Sequence, residues 1–352
     1  LGLSDGLTDE GSQEPLLGST YYVDFTIAKE ESDYEPVYYF SPKKIREDWG
    51  DAIADYPISL ASQISYENGA MYWLIAPLNP NDGSEYEQFS AALDRVKAKE
   101  CNVVVPMTTN ENIFSLVKAH VENMSTQLER KWRTAFLGLS GDHTVEQMKT
   151  LATGLNSRRI VLVYPENVSR SIGSSTVDLN GAYLAAALGG IRVNPNYDVA
   201  TPLTRRNVSG FSSISGNITL RVEKNEIAAA GVTIVDFDGV NAVVRHGKTT
   251  AIDTVINQEI SLTDITDYVA EVTYRVLENA YVGKKITVDT PLNIVSTTDG
   301  ILQQLIQNEI IVDAINISAE QNESDPTQID VSFEISPVYP LNYINITFTI
   351  TV

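Results

Sequence analysis

Apolar residues along the chain follow two regimes. Through the first half, unbroken apolar runs alternate with stretches in which apolar residues recur every three or four positions. The runs YWLIAP (72–77), VVVPM (103–107), AFLGL (135–139) and RIVLVYP (159–165) predict strands covered on both faces, because in-out alternation is missing. The periodic stretches predict helices. Ser41-Pro42 offers an N-cap and a first-turn proline and Gly50 a stop, which places a helix over 42–49. Pro57 opens a helix that runs to about Asn68-Gly69. Ser84 to Lys99 carries Phe89, Leu93 and Val96 on one stripe, and Asn112 to Trp132 carries Phe114, Val117, Val121, Met124 and Leu128. Thr144 to Leu155 and the small-residue stretch Asp178 to Gly190 complete the set. Ahead of them, YYVDFTI (21–27) predicts a strand, preceded by an exposed Gly/Ser/acidic lead-in over 1–19. Continuous apolar strands separated by amphipathic helices predict an α/β fold, with a mainly parallel sheet and flanking crossover helices.

After Gly190 the pattern changes. Residues 191–222 are rich in Pro, Asn, Ser and Gly and hold no long periodic element. VTIVDF and VNAVVRH flank Asp238-Gly239 and predict a hairpin. Residues 250–262 predict a connector. Helices follow over Thr263 to Tyr281 and Leu292 to Asn308, the second burying Ile301, Leu305 and Ile306, and then strands over 310–318, 328–335 and 343–351. Helices and strands in separate blocks predict a smaller α+β unit. The expected division is an α/β domain over 20–250, including a β-rich segment at 205–250, and an α+β C-terminal domain over 251–352.

The last strand has the most regular pattern. Ile344, Ile346, Phe348 and Ile350 fall on one face, and Asn345, Thr347, Thr349 and Thr351 on the other. Pro337 and Pro340 break the chain just before it, and no charge interrupts it. A long uncharged strand left at an edge is an aggregation hazard. It therefore pairs within its own domain, or it joins a strand of another copy by β-augmentation.

Composition narrows the chemistry. The chain of 352 residues carries a formal net charge of -21, which disfavours nucleic acid as a partner because phosphate contacts need an excess of Lys and Arg. No run approaches the ~18 apolar residues of a spanning helix, so no membrane insertion is expected. Cys101 is the single cysteine and excludes an internal disulfide; its place beside an apolar strand predicts a buried, inert thiol. His120, His143 and His246 lie at no metal-ligand spacing. Asp236 and Asp238 flank a turn, where Asp is favoured for local hydrogen bonding. Ala242 to Thr249 loosely matches a phosphate loop, with Gly247, Lys248 and Thr249 in the cradle, lysine and Mg²⁺ roles. Its interior, Val-Val-Arg-His, reads instead as the end of a strand, and no clear helix opens after it. No catalytic, cofactor-binding or metal residue and no cofactor is therefore expected. The alternative of another class is an α/β nucleotide-binding enzyme using the 242–249 loop.

Several segments, taken in order, resemble the tail sheath proteins of contractile, myovirus-type bacteriophage tails. They are Tyr21-Tyr22-Val23, YYFSP (38–42) with Trp49-Gly50, the Pro57 to Ala70 stretch, Arg158 to Pro165, Gly181 to Ala187, Arg245 to Thr250, and ISPVYPLNYINITFTI (335–350). The resemblance covers roughly residues 20–352. It implies a structural subunit, not an enzyme, that polymerises helically around a tail tube and contracts to drive the tube through the host envelope. Implied partners are further sheath subunits, the tail tube protein, and baseplate and tail terminator proteins. The implied location is the virion tail, after synthesis in the host cytoplasm. A tailocin or type VI-like sheath shares the same physics. In the family, terminal arms add strands to the C-terminal domains of neighbours, which makes Ile344, Ile346, Phe348 and Ile350 the expected inter-subunit strand. The family also places an N-terminal arm ahead of this region. A chain that starts at Leu1 is therefore expected to be a fragment lacking it, monomeric or poorly assembling.

Overall fold

The computed structural model describes residues 31–342 and 344–349. The lead-in over 1–19 and the strand expected at 21–27 lie outside the described residues. The first half contains β1 (Val37–Tyr39), α1 (Pro42–Trp49), α2 (Pro57–Glu67), β2 (Trp73–Ile75), α3 (Glu85–Val96), β3 (Val103–Val104), α4 (Glu111–Met124), β4 (Thr134–Gly138), α5 (Val145–Leu155), β5 (Ile160–Tyr164), β6 (Asn167–Ile172), β7 (Ser175–Asn180) and α6 (Gly181–Arg192). The second contains β8 (Asn207–Val208), β9 (Ser213–Ser215), α7 (Arg221–Ala229), β10 (Val232–Phe237), β11 (Ala242–His246), α8 (Val255–Gln258), α9 (Ile260–Tyr281), α10 (Thr290–Gln307), β12 (Ile311–Gln321) and β13 (Ile329–Pro337).

The helix starts follow their local chemistry. The Ser41 hydroxyl accepts from the Lys43 N–H at 3.2 Å, and Gly50 ends α1 at φ 88°. Ser84 with Glu87 and Thr144 with Gln147 close reciprocal capping boxes on α3 and α5.

The central sheet has the order β3-β4-β5-β10-β11-β8. The strands from β3 to β10 run parallel, whereas β11 pairs antiparallel with β10 on one side and β8 on the other. The fold is α/β, but the sheet is mixed. The expected parallel arrangement stops where Asp238 accepts the Val240 and Asn241 N–H groups and turns the chain straight back. The apolar strands show why alternation is missing from the sequence. Phe136, Val161 and Val163 enter a core shared with α2 and α6, while Ala135, Leu137, Ile160 and Leu162 enter one shared with α3, α4, α5 and α7. Both faces are covered, so both parities are apolar. Glycine permits the closest approaches: a Cβ on Gly138 would collide with the Gly181 backbone, and one on Gly190 with the Ser65 backbone.

Several expectations are corrected. The run at 72–77 is not a central strand. Trp73, Leu74 and Ile75 are half-buried in a two-stranded ribbon with β1. Helix α4 ends at Met124 and not at Trp132, and Leu128 is 88% exposed. Asp178 belongs to β7, because the Asn180 carboxamide oxygen accepts from the Ala182 N–H and starts α6 there. Hairpin β6–β7 and helix α7 have no counterpart in the sequence reading. Residues 344–349, expected within a strand, join no ladder among the described residues.

A buried cation holds α3, α4 and β4 together. The Arg133 side chain is fully buried and caps the end of α3: its Nη2 donates to the Val96 and Lys99 carbonyls at 3.2 and 2.6 Å. Its Nη1 donates to His120 Nε2 at 2.6 Å. Burial, with the Arg133 charge adding, pushes the His120 imidazole down to about 4. The unfolded chain takes up this proton near pH 6.5 and the folded chain does not. The protein should therefore lose stability as pH falls from there towards 4, by ~2 kcal/mol at pH 5. Urea unfolding of His120→Gln, whose carboxamide oxygen can accept from Arg133, should lack this component. Equal acid sensitivity in wild type and variant would exclude the assignment.

Candidate assembly interface

The C-terminal strands form a separate two-stranded ribbon, paired antiparallel from Ile311↔Pro337 to Gln321↔Ile329. One face, with Ala314, Ile317, Phe333 and Ile335, packs on a core built from Leu262, Ile265 and Val269 of α9 and Ile301, Leu302 and Leu305 of α10. Val312 and Ile315 are exposed. Among the described residues neither outer edge of the ribbon is paired.

The segment after it presents Ile344, Ile346 and Phe348 at 74%, 83% and 79% exposure. Ile350 lies outside the described residues. Large apolar side chains so exposed, on backbone without a ladder partner among the described residues, form the kind of patch that marks interaction surfaces.

The root of this segment is tied down. Asn342 Nδ2 donates to Glu259 Oε1 at 3.0 Å, and Asn342 Oδ1 accepts from the Thr204 hydroxyl at 2.9 Å. Glu259 is buried at the start of α9, with His246 Nε2 at 2.5 Å and Lys248 Nζ at 3.4 Å from the same oxygen. Further along α9, Asp264 pairs with Arg192, and Asp267 takes both Arg159 nitrogens at 2.6 and 2.8 Å. Burial pushes the Asp264 carboxyl up to about 6, against the pull of Arg192.

The phosphate-loop lookalike is a corner beneath this anchorage. The Lys248 N–H donates to Thr233 Oγ1, the Thr249 N–H to the Gln258 carbonyl and the Thr250 N–H to the Ile160 carbonyl. Those N–H groups are consumed inside the protein, and Lys248 reaches inward to Gln258 and Glu259. Thr249 Oγ1 donates to the Asn257 carbonyl at 2.5 Å. The loop therefore offers no phosphate cradle.

The other flagged residues are separate. Asp236 pairs with Lys224 and Arg245. Hydrogen bonds from the turn N–H groups lower the Asp238 carboxyl. Burial raises the Cys101 thiol, which disfavours the thiolate. His143 lies between Glu166 and Glu111; burial lowers its imidazole, but the two carboxylates outweigh that and raise it. Among the described residues no group of three or more His, Cys, Asp or Glu could hold a metal ion. Sequence reasoning missed Glu259 and Asn342, which are 83 residues apart. It marked Lys248 for a phosphate role, where the structure gives it a buried carboxylate.

Lys248→Ala should therefore leave binding of labelled ATP or GTP at the background of the wild type. It should also destabilise the fold by ~2 kcal/mol through the lost charged contact to Glu259. Micromolar nucleotide affinity abolished by this substitution would reinstate the phosphate-loop reading.

Residues 257–351 match the phage tail sheath C-terminal domain family. The chain is 28% identical to the tail sheath protein of Mycobacterium phage Bxz1 over 336 residues, covering 90% of this chain and 56% of that protein. It is 27% identical to the tail sheath protein of Bacillus phage SP01 over 266 residues, covering 74% of this chain and 45% of that one. The chain thus spans about half the length of these relatives. The helical sheath of the anti-feeding prophage in its contracted state superposes with a TM-score of 0.71 at 16% identity, covering 99% of both chains. The matched C-terminal domain contains α9, α10, the ribbon and the exposed segment, and the fold as a whole is shared with the anti-feeding prophage sheath. The chain is thus similar to phage tail sheath proteins over most of its length, and its residues 257–351 match the phage tail sheath C-terminal domain.

Proposed function

We propose that this chain is a structural subunit of a contractile phage tail sheath. It polymerises helically around a tail tube and, on contraction, drives the tube through the host envelope without a cofactor or a catalytic step. The observation that carries this reading is the pairing, on one chain, of an open-edged ribbon with an exposed, uncharged, alternating segment. Residues 343–351, with Ile344, Ile346, Phe348 and Ile350 as one face, add as a strand to the ribbon of a neighbouring copy by β-augmentation. A head-to-tail contact that does not close on itself generates a helix. The strand joint holds the lattice while the rigid bodies of neighbouring subunits rotate about their terminal arms.

The partners under this reading are further sheath copies, the tail tube protein and the baseplate and terminator proteins at the two ends. The location is the virion tail after synthesis in the host cytoplasm. Superposition over 99% of the anti-feeding prophage sheath also favours a second reading, the sheath of a tailocin or similar contractile injection system. The lattice physics is the same.

Electron microscopy of the full-length sheath protein should show hollow helical tubes. Changing Ile346 and Phe348 together to Asp should abolish them. The melting temperature should hold, because both side chains are exposed and surface substitutions are usually within ~0.5 kcal/mol. Tubes formed by the doubly substituted protein would rule out the strand as a lattice element.

A further inference from the structure

Residues 338–342 between β13 and the exposed segment are of a length that commonly closes a β-hairpin. A hairpin there would lay 344–349 onto the open edge of its own β13. The chain does not do this. Asn342 departs from the ribbon and docks on the corner between β11 and α9.

From this geometry we infer that Asn342 and Glu259 form a positioning anchor that prevents the C-terminal segment from closing on its own ribbon and directs it to a second copy of the chain. The inference rests on the strand-exchange reading above and assigns residues to it.

The chemistry of the contact fixes its orientation. An ionised carboxylate only accepts, so the Asn342 amide must turn its Nδ2 to Glu259. Its Oδ1 is then left for the Thr204 hydroxyl, which donates at 2.9 Å. Both halves of the amide are used, and neither partner belongs to the ribbon. Glu259 is fixed in turn by His246 and Lys248, so it is not free to follow a moving segment. Five residues span ~17 Å at most, and they join the ribbon at Pro337 to the docked Asn342. The side chains of 344–349 are exposed, and no ladder of the segment with its own ribbon is formed among the described residues. The anchor acts on the choice between self-pairing and exchange, and it does not touch the neighbour's strand.

Asn342→Asp is nearly isosteric and replaces the donor with a carboxylate facing Glu259. It should raise the critical protein concentration for tube assembly at least tenfold, read by light scattering and electron microscopy, with the melting temperature little changed. Combining it with Glu259→Gln reverses the polarity of the pair, since the carboxamide introduced at position 259 then donates to the carboxylate introduced at position 342, and should restore assembly. Asn342→Ala provides a second release without added charge and should match Asn342→Asp. Assembly of Asn342→Asp and Asn342→Ala at the wild-type concentration would overturn the anchor while leaving the lattice reading in place. Loss of assembly that the double variant fails to restore would also overturn it, as a folding effect. Full-length wild-type protein that forms no assembly at any concentration would remove both readings together.

Discussion

Three carboxylates at the start of α9 enter the interior, and the arrangement depends on each meeting a cation from the α/β part. Glu259 meets Lys248 and His246, Asp264 meets Arg192, and Asp267 meets Arg159. Buried ion pairs contribute little net stability against well-packed apolar side chains. Their effect here is on register. An apolar helix face can slide or rotate by a residue at modest cost, whereas a carboxylate seated without its cation costs ~3–5 kcal/mol. Three such contacts along one helix leave a single seating. Because α9 also forms the floor of the C-terminal core with α10 and the ribbon, that seating fixes where the ribbon stands.

What the sequence disclosed follows the range of the interactions. Helix α1 was legible because Ser41, Pro42 and Gly50 determine it within ten positions. The strands β4 and β5 were legible because burial on both faces leaves an unbroken apolar run. The same rule misplaced 72–77, since an apolar run does not say which strand pairs with it, and β1 does. Helix α7 escaped notice because Ile227 is its only buried residue and Leu220, at its N-cap, gives no side-chain cap. Leu128 extended the α4 pattern by chance, whereas the chain turns at Ser125, whose hydroxyl accepts from the Arg133 N–H. The candidate interface was half legible. The alternation from Ile344 onward shows in the sequence, but its anchorage joins residues 204, 259 and 342, which no local spacing connects.

The same division explains the phosphate-loop resemblance. A glycine followed by Lys and Thr satisfies two different needs: backbone close to an anion, or backbone close to another part of the chain. Gly247 serves the second, with Leu203 against it, and Lys248 finds its anion in Glu259. Residue types reported that a lysine must meet negative charge near this turn. Only the tertiary structure shows that the charge comes from the chain itself.

The distribution of charge among the C-terminal segments determines which of them can pair. Strand β12 carries Asp313 and Glu320, strand β13 carries Asp330 and Glu334, and neither carries a Lys or Arg. Two ribbons brought edge to edge would set acidic strands against each other, and like charges opposed across a ladder are destabilising. Residues 343–351 hold no charge at all. Under the strand-exchange reading they would complete the hydrogen bonding of a ribbon edge without that repulsion. On that reading the acidic edges disfavour ribbon-on-ribbon association, which would be symmetric and closed, and favour the uncharged segment, which is neither. A joint of one chain's terminus with another chain's ribbon leaves a free terminus and a free edge after every addition, and growth continues in one direction around an axis.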